Sequence, residues 1–173
     1  IIVFKLPSDP SVDYIKRIVG LPGDKIQTIN GRLFINDKLV PREAASVERI
    51  QNGQGQEVTV TRYTETLPGG VQHPIYEQSD TQVLDNAGPF LVPEGHYFAM
   101  GDNRDNSRDS RVLDYVGYIP FENIVGRATM IFFSENGRAS LFEIWKWPFA
   151  VRYDRLFHFV GPDRPIARGK EGP

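Results

Sequence analysis

The sequence contains no cysteine and has little else that would indicate a function directly. Without cysteine the chain can form no disulfide, bind no zinc through thiolates and use no thiol nucleophile. The histidines, His73, His96 and His158, lie far apart and match no spacing of metal ligands. The formal net charge is −2, so no basic field indicates nucleic-acid binding. We therefore expect no metal, no organic cofactor and no nucleic-acid partner.

Long hydrophobic runs are also lacking. No stretch approaches the ~18 apolar residues of a membrane-spanning helix, and no signal peptide opens the sequence. Residues 1–4 are instead typical of a strand that is already under way. We therefore expect the intact protein to contain sequence upstream of Ile1.

Short β-prone runs separated by turn residues make up most of the chain, and no segment has the period of a long helix. Asn30-Gly31 predicts a hairpin with a type I′ turn between Lys25–Ile29 and Arg32–Ile35. Asn36 and Asp37 indicate a second turn, after which the chain would reverse direction again. The predicted class is mainly β. Further strands are predicted at residues 1–4, 12–19, 57–63, 95–100, 112–120 and 124–133.

The composition of the sequence is different between residues 40 and 91. Polar residues and glycines are scattered through this segment, and only one good strand is predicted in it. We interpret this segment as an inserted, smaller β-rich subdomain that carries no chemistry. Residues 1–39 and 92–160 would then form one discontinuous β domain whose N-terminal part is missing. Residues 161–173, rich in proline, glycine and charge, are predicted to be a flexible tail.

One unusual segment is the strand that contains Lys16 and Arg17 among apolar residues, where lysine is disfavoured. Side chains alternate along a strand, so Lys16 shares a face with Tyr14 and Ile18. Lys16 either reaches water from a half-exposed strand or is held among apolar groups, which favours the neutral amine. A neutral lysine could take a proton from a nucleophile.

A second unusual segment, residues 101–111, has no apolar residue and interleaves aspartates with arginines. It is either a solvated loop or a tight loop held by internal ion pairs. A calcium loop fits poorly: from Asp105 the twelfth position is Val116, and from Asp102 a ligand position is Arg104. A phosphate or nucleic-acid site through the arginines is opposed by the aspartates.

Together the two segments resemble two boxes of the bacterial type I signal peptidases, serine–lysine endopeptidases also called leader peptidases. The first is Lys-Arg-Ile-Val-Gly-Leu-Pro-Gly-Asp at residues 16–24, and the second is Gly-Asp-Asn-Arg-Asp-Asn-Ser-Arg-Asp-Ser-Arg at residues 101–111. Residues 117–128 resemble the stretch after the second box. The resemblance covers residues 1–39 and 92–133, so the discontinuous domain would be a signal-peptidase-like catalytic domain.

The resemblance implies an enzyme that cuts signal peptides from exported preproteins through an acyl-enzyme, after small residues such as Ala-x-Ala. It would work at the lipid surface of the bacterial inner membrane, with its catalytic domain on the periplasmic face. Its partners would be preprotein signal peptides and membrane lipid, without metal or cofactor.

In this resemblance Lys16 falls on the general base, and Ser107 falls on a serine that hydrogen-bonds to that lysine and orients it. The family's nucleophilic serine lies in a Ser-x-Met-x-Pro type box upstream of the first strand, and this chain has no such box. Ser8 and Ser11 follow the first strand and are not its equivalents. We therefore expect these 173 residues to be inactive alone.

Supporting roles follow from the same resemblance. Asp109 and Arg111 match a supporting ion pair, and Arg17 is expected to pair with Asp102. The positions that match the lining of the small-residue substrate pockets are Tyr14, Ile15 and Val3.

Other interpretations stay open. A noncatalytic binding module could keep the base after losing the nucleophile. A self-cleaving repressor-type protease shares serine–lysine chemistry, but it would need a DNA-binding module and a cleavage site in cis. The aromatic-rich residues 141–160 either complete the β core or form a membrane-interfacial patch.

Overall fold

The computed structural model describes residues 1–51 and 55–128, together with the backbone of residues 130–131 and 158–159. Its elements are almost all strands, which confirms the predicted mainly β class. Among the described residues, no helix is long and apolar enough to cross a membrane. Two short 3-10 helices cover Val83–Asp85 and Phe121–Asn123. The strands are β1 (Ile2–Leu6), β2 (Asp9–Gly20), β3 (Lys25–Ile29), β4 (Arg32–Ile35), β5 (Lys38–Leu39), β6 (Arg42–Gln51), β7 (Glu57–Leu67), β8 (Val71–Glu77), β9 (Ala87–Leu91), β10 (His96–Met100), β11 (Ile119–Pro120), β12 (Ile124–Arg127), β13 (Met130–Ile131) and β14 (His158–Phe159).

A five-stranded sheet, in the order β11-β10-β2-β1-β12, carries the first unusual segment. β1 and β2 pair antiparallel, with Ile2 opposite Lys16. β10 pairs with the other edge of β2 and ends at Met100, which lies opposite Arg17. The loop that follows β10 therefore leaves the sheet beside Lys16.

A second sheet, in the order β5-β4-β3-β9, contains the predicted hairpin. Asn30 and Gly31 both have positive φ, 47° and 68°, as a type I′ turn requires. Asn36 and Asp37 repeat this conformation, with φ of 53° and 63°, and return the chain into β5. Both predicted turns are confirmed. One apolar core joins this sheet to the first; its buried members are Val19, Ile26, Leu33, Ile35, Val40, Phe90, Val92, Phe98 and Met100.

The third sheet, β6-β7-β8, lies entirely within the segment predicted to be an insertion. The sequence indicated only residues 57–63 as a strand, and missed β6 and β8. The side chains of β6 are mostly exposed, so it lacks an apolar face and is held by its long pairing with β7. The segment also contains β9, which pairs with β3 in the second sheet. The division into domains stays a prediction.

The prediction of a strand over residues 112–120 was largely wrong. The Val112 carbonyl accepts hydrogen bonds from the backbone N–H groups of Tyr115, Val116 and Gly117, so the chain turns here. Only Ile119–Pro120 pairs with β10. Val116 and Ile119 instead fill a second core beneath β1, with Ile2, Phe4, Leu6 and Ala99.

Of the predictions for the C-terminal part, the strand at residues 124–133 corresponds to β12 and β13, the latter paired with β14. The aromatic segment 141–160, apart from the backbone of β14, and the predicted tail 161–173 lie outside the described residues.

Candidate active site

Lys16 is half-buried on β2, and its Nζ lies 5.3 Å from the centre of the Tyr14 ring. Burial lowers the pKa of Lys16 from its ordinary value, and it outweighs the opposing attraction of Asp109 and Asp102. Arg111 adds to the lowering of this pKa. The neutral amine is therefore more populated than in a free lysine at the same pH.

A cavity of about 250 Å³ opens where β2 meets the loop that follows β10. The two unusual segments face each other across it. Its lining residues are Ile1, Ile15, Lys16 and Arg17 from the first sheet, and Gly101, Asp102, Asn103, Asn106 and Ser107 from the loop.

Ser107 lines this cavity together with Lys16, and its Oγ is buried. Within the described residues this Oγ has no hydrogen-bond partner, so the expected bond to Lys16 is not formed. Gly101 makes room for Ser107: a Cβ at Gly101 would lie 2.1 Å from Ser107 Oγ. A free hydroxyl thus lies in the same cavity as a lysine of lowered pKa. Sequence reasoning had missed the part played by Gly101.

Arg17 is buried and pairs with Asp102 through two hydrogen bonds. Nε donates to Oδ1 over 2.8 Å, and Nη2 donates to Oδ2 over 2.9 Å. The structure therefore brings these two predicted residues together. The bidentate contact neutralises the cation next to Lys16 and ties β2 to the loop.

Asp109 and Arg111 form a second buried ion pair, which folds the loop upon itself. Arg111 Nε donates to Asp109 Oδ1 over 2.9 Å, and Arg111 Nη2 donates to the Arg104 carbonyl over 2.6 Å. Asp109 Oδ2 also accepts the backbone N–H of Gly101 over 3.0 Å. The loop is therefore tight and internally paired rather than solvated.

A third buried cluster, which the sequence analysis had missed, joins the loop to the third sheet. Arg104 pairs with Glu65 through both terminal guanidinium nitrogens: Nη1 donates to Oε1 over 3.0 Å, and Nη2 donates to Oε2. His73 Nε2 lies 3.2 Å from Glu65 Oε2, and its Nδ1 lies 3.7 Å from Asp102 Oδ1. Burial alone would raise the pKa of Glu65, but Arg104 and His73 outweigh it and lower that pKa to about 2.

Backbone hydrogen bonds also join the loop at residues 101–111 to the third sheet. Tyr76 N–H donates to the Asp102 carbonyl over 2.8 Å, and Arg104 N–H donates to the Tyr76 carbonyl over 2.9 Å. The loop thus lies along β8 as a further short strand would. Segment 40–91 is not a remote excursion, because it supplies Glu65 and His73 to the support of the site.

The residues predicted to bind substrate lie in different places. Ile15 is 61% exposed and lines the cavity, and Val3 lies opposite it in the β1–β2 pairing. The Tyr14 hydroxyl instead forms a 3.0 Å hydrogen bond with the Tyr115 hydroxyl. A role for all three residues in substrate binding stays a prediction.

Ser8 and Ser11 are engaged elsewhere. Ser8 Oγ donates to the Tyr115 carbonyl over 2.7 Å, and Ser11 Oγ donates to Asp9 Oδ1 over 2.7 Å. Neither serine lines the cavity that contains Lys16.

Comparison with known proteins places this arrangement in a family. Residues 1–133 match the family described as "Signal peptidase, peptidase S26". Over 172 aligned positions the chain is 41% identical to signal peptidase I of Rickettsia typhi and 40% identical to that of Rickettsia conorii, with 91% of this chain covered in each case. It spans 63% and 62% of the lengths of these relatives. A crystal structure of a signal peptidase I from Enterococcus faecalis is 26% identical, with a TM-score of 0.40 over 72% of this chain and 89% of that one. The match over residues 1–133 and the identity to the Rickettsia proteins show that the chain belongs to the signal peptidase family, peptidase S26.

Proposed function

We propose that the intact protein is a serine endopeptidase that removes signal peptides from exported preproteins, with Lys16 as its general base. The observation that carries this proposal is the half-buried Lys16, whose pKa burial lowers, at a cavity that also contains the free Ser107 hydroxyl. The Rickettsia relatives are named signal peptidase I, in agreement with this activity.

In the proposed reaction the neutral Lys16 amine accepts the proton of a serine hydroxyl while the serine oxygen attacks the scissile carbonyl. The resulting ammonium gives a proton to the leaving amine, and the acyl-enzyme remains. Water then attacks the ester, Lys16 accepts a proton from that water, and the serine oxygen recovers a proton as the new carboxyl terminus leaves. No step requires a metal or an organic cofactor.

The nucleophile in this proposal belongs to a part of the intact protein outside these 173 residues. The Rickettsia relatives are longer than this chain, which agrees with a nucleophile outside it. As the resemblance implies, the cavity serine Ser107 is assigned to orienting Lys16, through a hydrogen bond that would form in the intact protein. The adjacent Arg17–Asp102 pair helps the base, since an uncompensated carboxylate there would favour the charged lysine. Asp109 and Arg111 hold the loop that presents Ser107.

The proposed substrates carry small residues before the cut. This preference is what the family resemblance implies, and Ile15 and Lys16 border the cavity of about 250 Å³ in which those residues would lie. Val3, opposite Ile15, and Tyr14 would complete the adjoining surface. We place the catalytic domain at the lipid surface on the periplasmic face of the bacterial inner membrane, where signal peptides would be presented.

The test uses the intact protein and a preprotein that carries an Ala-x-Ala site. We expect cleavage directly after that site, identified by mass spectrometry of the products, and no turnover by the 173-residue chain alone. Binding without cleavage by the intact protein would favour a noncatalytic binding module. Turnover by the chain alone would place the nucleophile within it, with Ser107 as the first candidate.

A further inference from the structure

Three carboxylates meet where the third sheet contacts the loop at residues 101–111. They belong to Glu77 at the end of β8, Asp85 in a short 3-10 helix and Asp105 in the loop. One carboxylate oxygen of each lies within 4.8 Å of those of the other two. Glu77 is 3% exposed and Asp85 is 1% exposed. These residues are distant in sequence, so no linear pattern of metal ligands marks them.

The carboxylates have oxygens that no hydrogen-bond donor reaches. Glu77 Oε2 and Asp105 Oδ1 are both buried, and neither has a hydrogen-bond partner among the described residues. Asp105 Oδ2, in contrast, accepts the backbone N–H groups of Gln78 and Ser79 over 2.6 and 3.1 Å. A buried carboxylate oxygen without a donor is costly, so a proton, a water molecule or a cation is needed there.

The arginines nearby do not balance this negative charge. Arg42 contacts Glu77 Oε1 over 3.1 Å, but its other nitrogen binds Asp80. The remaining two, Arg104 and Arg111, are engaged by Glu65 and Asp109. When all three carboxylates are ionised, the cluster therefore holds more negative charge than these arginines offset.

We propose that Glu77, Asp85 and Asp105 bind one divalent cation, for which Ca²⁺ is the best fit. Calcium takes oxygen ligands at about 2.3–2.6 Å in flexible geometry, so ligands on opposite sides of the ion lie about 5 Å apart. Magnesium binds at about 2.0–2.1 Å and requires a near-ideal octahedron. Three carboxylates from separate elements therefore suit calcium better than magnesium, which keeps several waters and is usually bound through one or two carboxylates.

The proposed cation would stabilise the structure and would take no part in the catalytic reaction. It would join the segment between Glu77 and Asp85 to the loop that carries Ser107, through Asp105 in the same loop. The backbone hydrogen bonds of Tyr76 and the Arg104–Glu65 ion pair, already described, hold the neighbouring part of the same contact. The expected effect of the ion is therefore on the stability of the loop.

The test titrates Ca²⁺ into the intact protein after chelation and desalting, by calorimetry and by thermal unfolding. We expect one bound ion per chain and a saturable rise of the unfolding temperature by several degrees at Ca²⁺ up to about 1 mM, with a smaller response to Mg²⁺. Asp85→Asn and Asp105→Asn each keep an oxygen acceptor but remove a charged ligand, and each should abolish the calcium response. Glu43→Gln, at an exposed position of β6, should keep it.

Two outcomes would overturn the proposal. One is the absence of saturable Ca²⁺ binding by the unsubstituted protein, which would leave protons or water to satisfy the carboxylates. The other is an unchanged calcium response in Asp85→Asn and Asp105→Asn. Thermal unfolding without Ca²⁺ shows whether each variant is folded. If a variant is not folded, the titration of the unsubstituted protein with Ca²⁺ still tests whether the site binds an ion.

Discussion

Glu65→Gln tests the buried cluster that links the third sheet to the loop of the site. The substitution leaves Arg104 buried and fully charged without its carboxylate partner, because both guanidinium contacts go to Glu65. Breaking a buried ion pair costs about 3–5 kcal/mol. The lowering of the Glu65 pKa from 4.5 to about 2 corresponds to about 3 kcal/mol, in agreement with that range.

The assay is chemical unfolding of the intact protein, with Glu57→Gln as the matched control because Glu57 is exposed on the same strand. Glu65→Gln should lose about 3 kcal/mol of unfolding free energy at pH 7, and Glu57→Gln should lose little. Glu65 has a lower pKa in the folded state than in the unfolded state. Its contribution is therefore present above pH 4.5 and is lost as the pH falls toward 2, so the two variants should converge in stability there. Equal stability of the two variants at pH 7 would refute the role of this cluster.

Further expectations concern the loop and the third sheet. Gly101→Ala should reduce cleavage at least as much as Ser107→Ala, because its Cβ would lie 2.1 Å from Ser107 Oγ and 2.5 Å from Ser107 Cβ, so the loop must shift. Cleavage rates near normal would mean that the loop does not hold Ser107 in place. Ser107→Ala should reduce kcat only partly and leave KM nearly unchanged, because the base is retained, whereas complete loss in a folded variant would identify Ser107 as the nucleophile. Replacing residues 46–85 by a short turn should destabilise the protein more than Glu65→Gln does. The replacement removes Glu65 and His73 together with the buried Val60 and Ile75. A shortened protein with normal stability in unfolding experiments would contradict this expectation.

Features encoded in adjacent residues were predictable from the sequence. Asn30-Gly31 determines its own turn, since both residues tolerate positive φ, and the hairpin around it is confirmed. The two boxes at residues 16–24 and 101–111 identified the family, because each is a continuous run of residues. Their meeting at one cavity follows from the pairing of β10 with β2.

Features that depend on distant pairing were not predictable from local patterns. β6 has almost no buried side chain, so it lacks a period-two apolar signal and is a strand because β7 pairs with it. Residues 112–118 have a β-prone composition, but they form a turn because the Val112 carbonyl accepts hydrogen bonds from three backbone N–H groups.

The support of the site escaped the sequence analysis for the same reason. Glu65 and His73 come from a segment predicted to carry no chemistry, yet Glu65 pairs with Arg104 and His73 approaches Asp102. The shortening of this segment, which the sequence interpretation would allow, is therefore expected to be harmful. Likewise, the expectation of no metal rested on linear spacing, and Glu77, Asp85 and Asp105 meet only in the folded chain.

The central claim is that Lys16 acts as a base, and the cleavage rate of Lys16→Arg in the intact protein tests it most directly. Arginine keeps the positive charge and much of the length of lysine, but it does not release its proton at any working pH. A lysine that serves only structure would tolerate this change. We expect Lys16→Arg to abolish cleavage of the preprotein as completely as Lys16→Ala, while unfolding experiments show that both variants remain folded. Near-normal cleavage by Lys16→Arg would contradict the assignment of Lys16 as the general base.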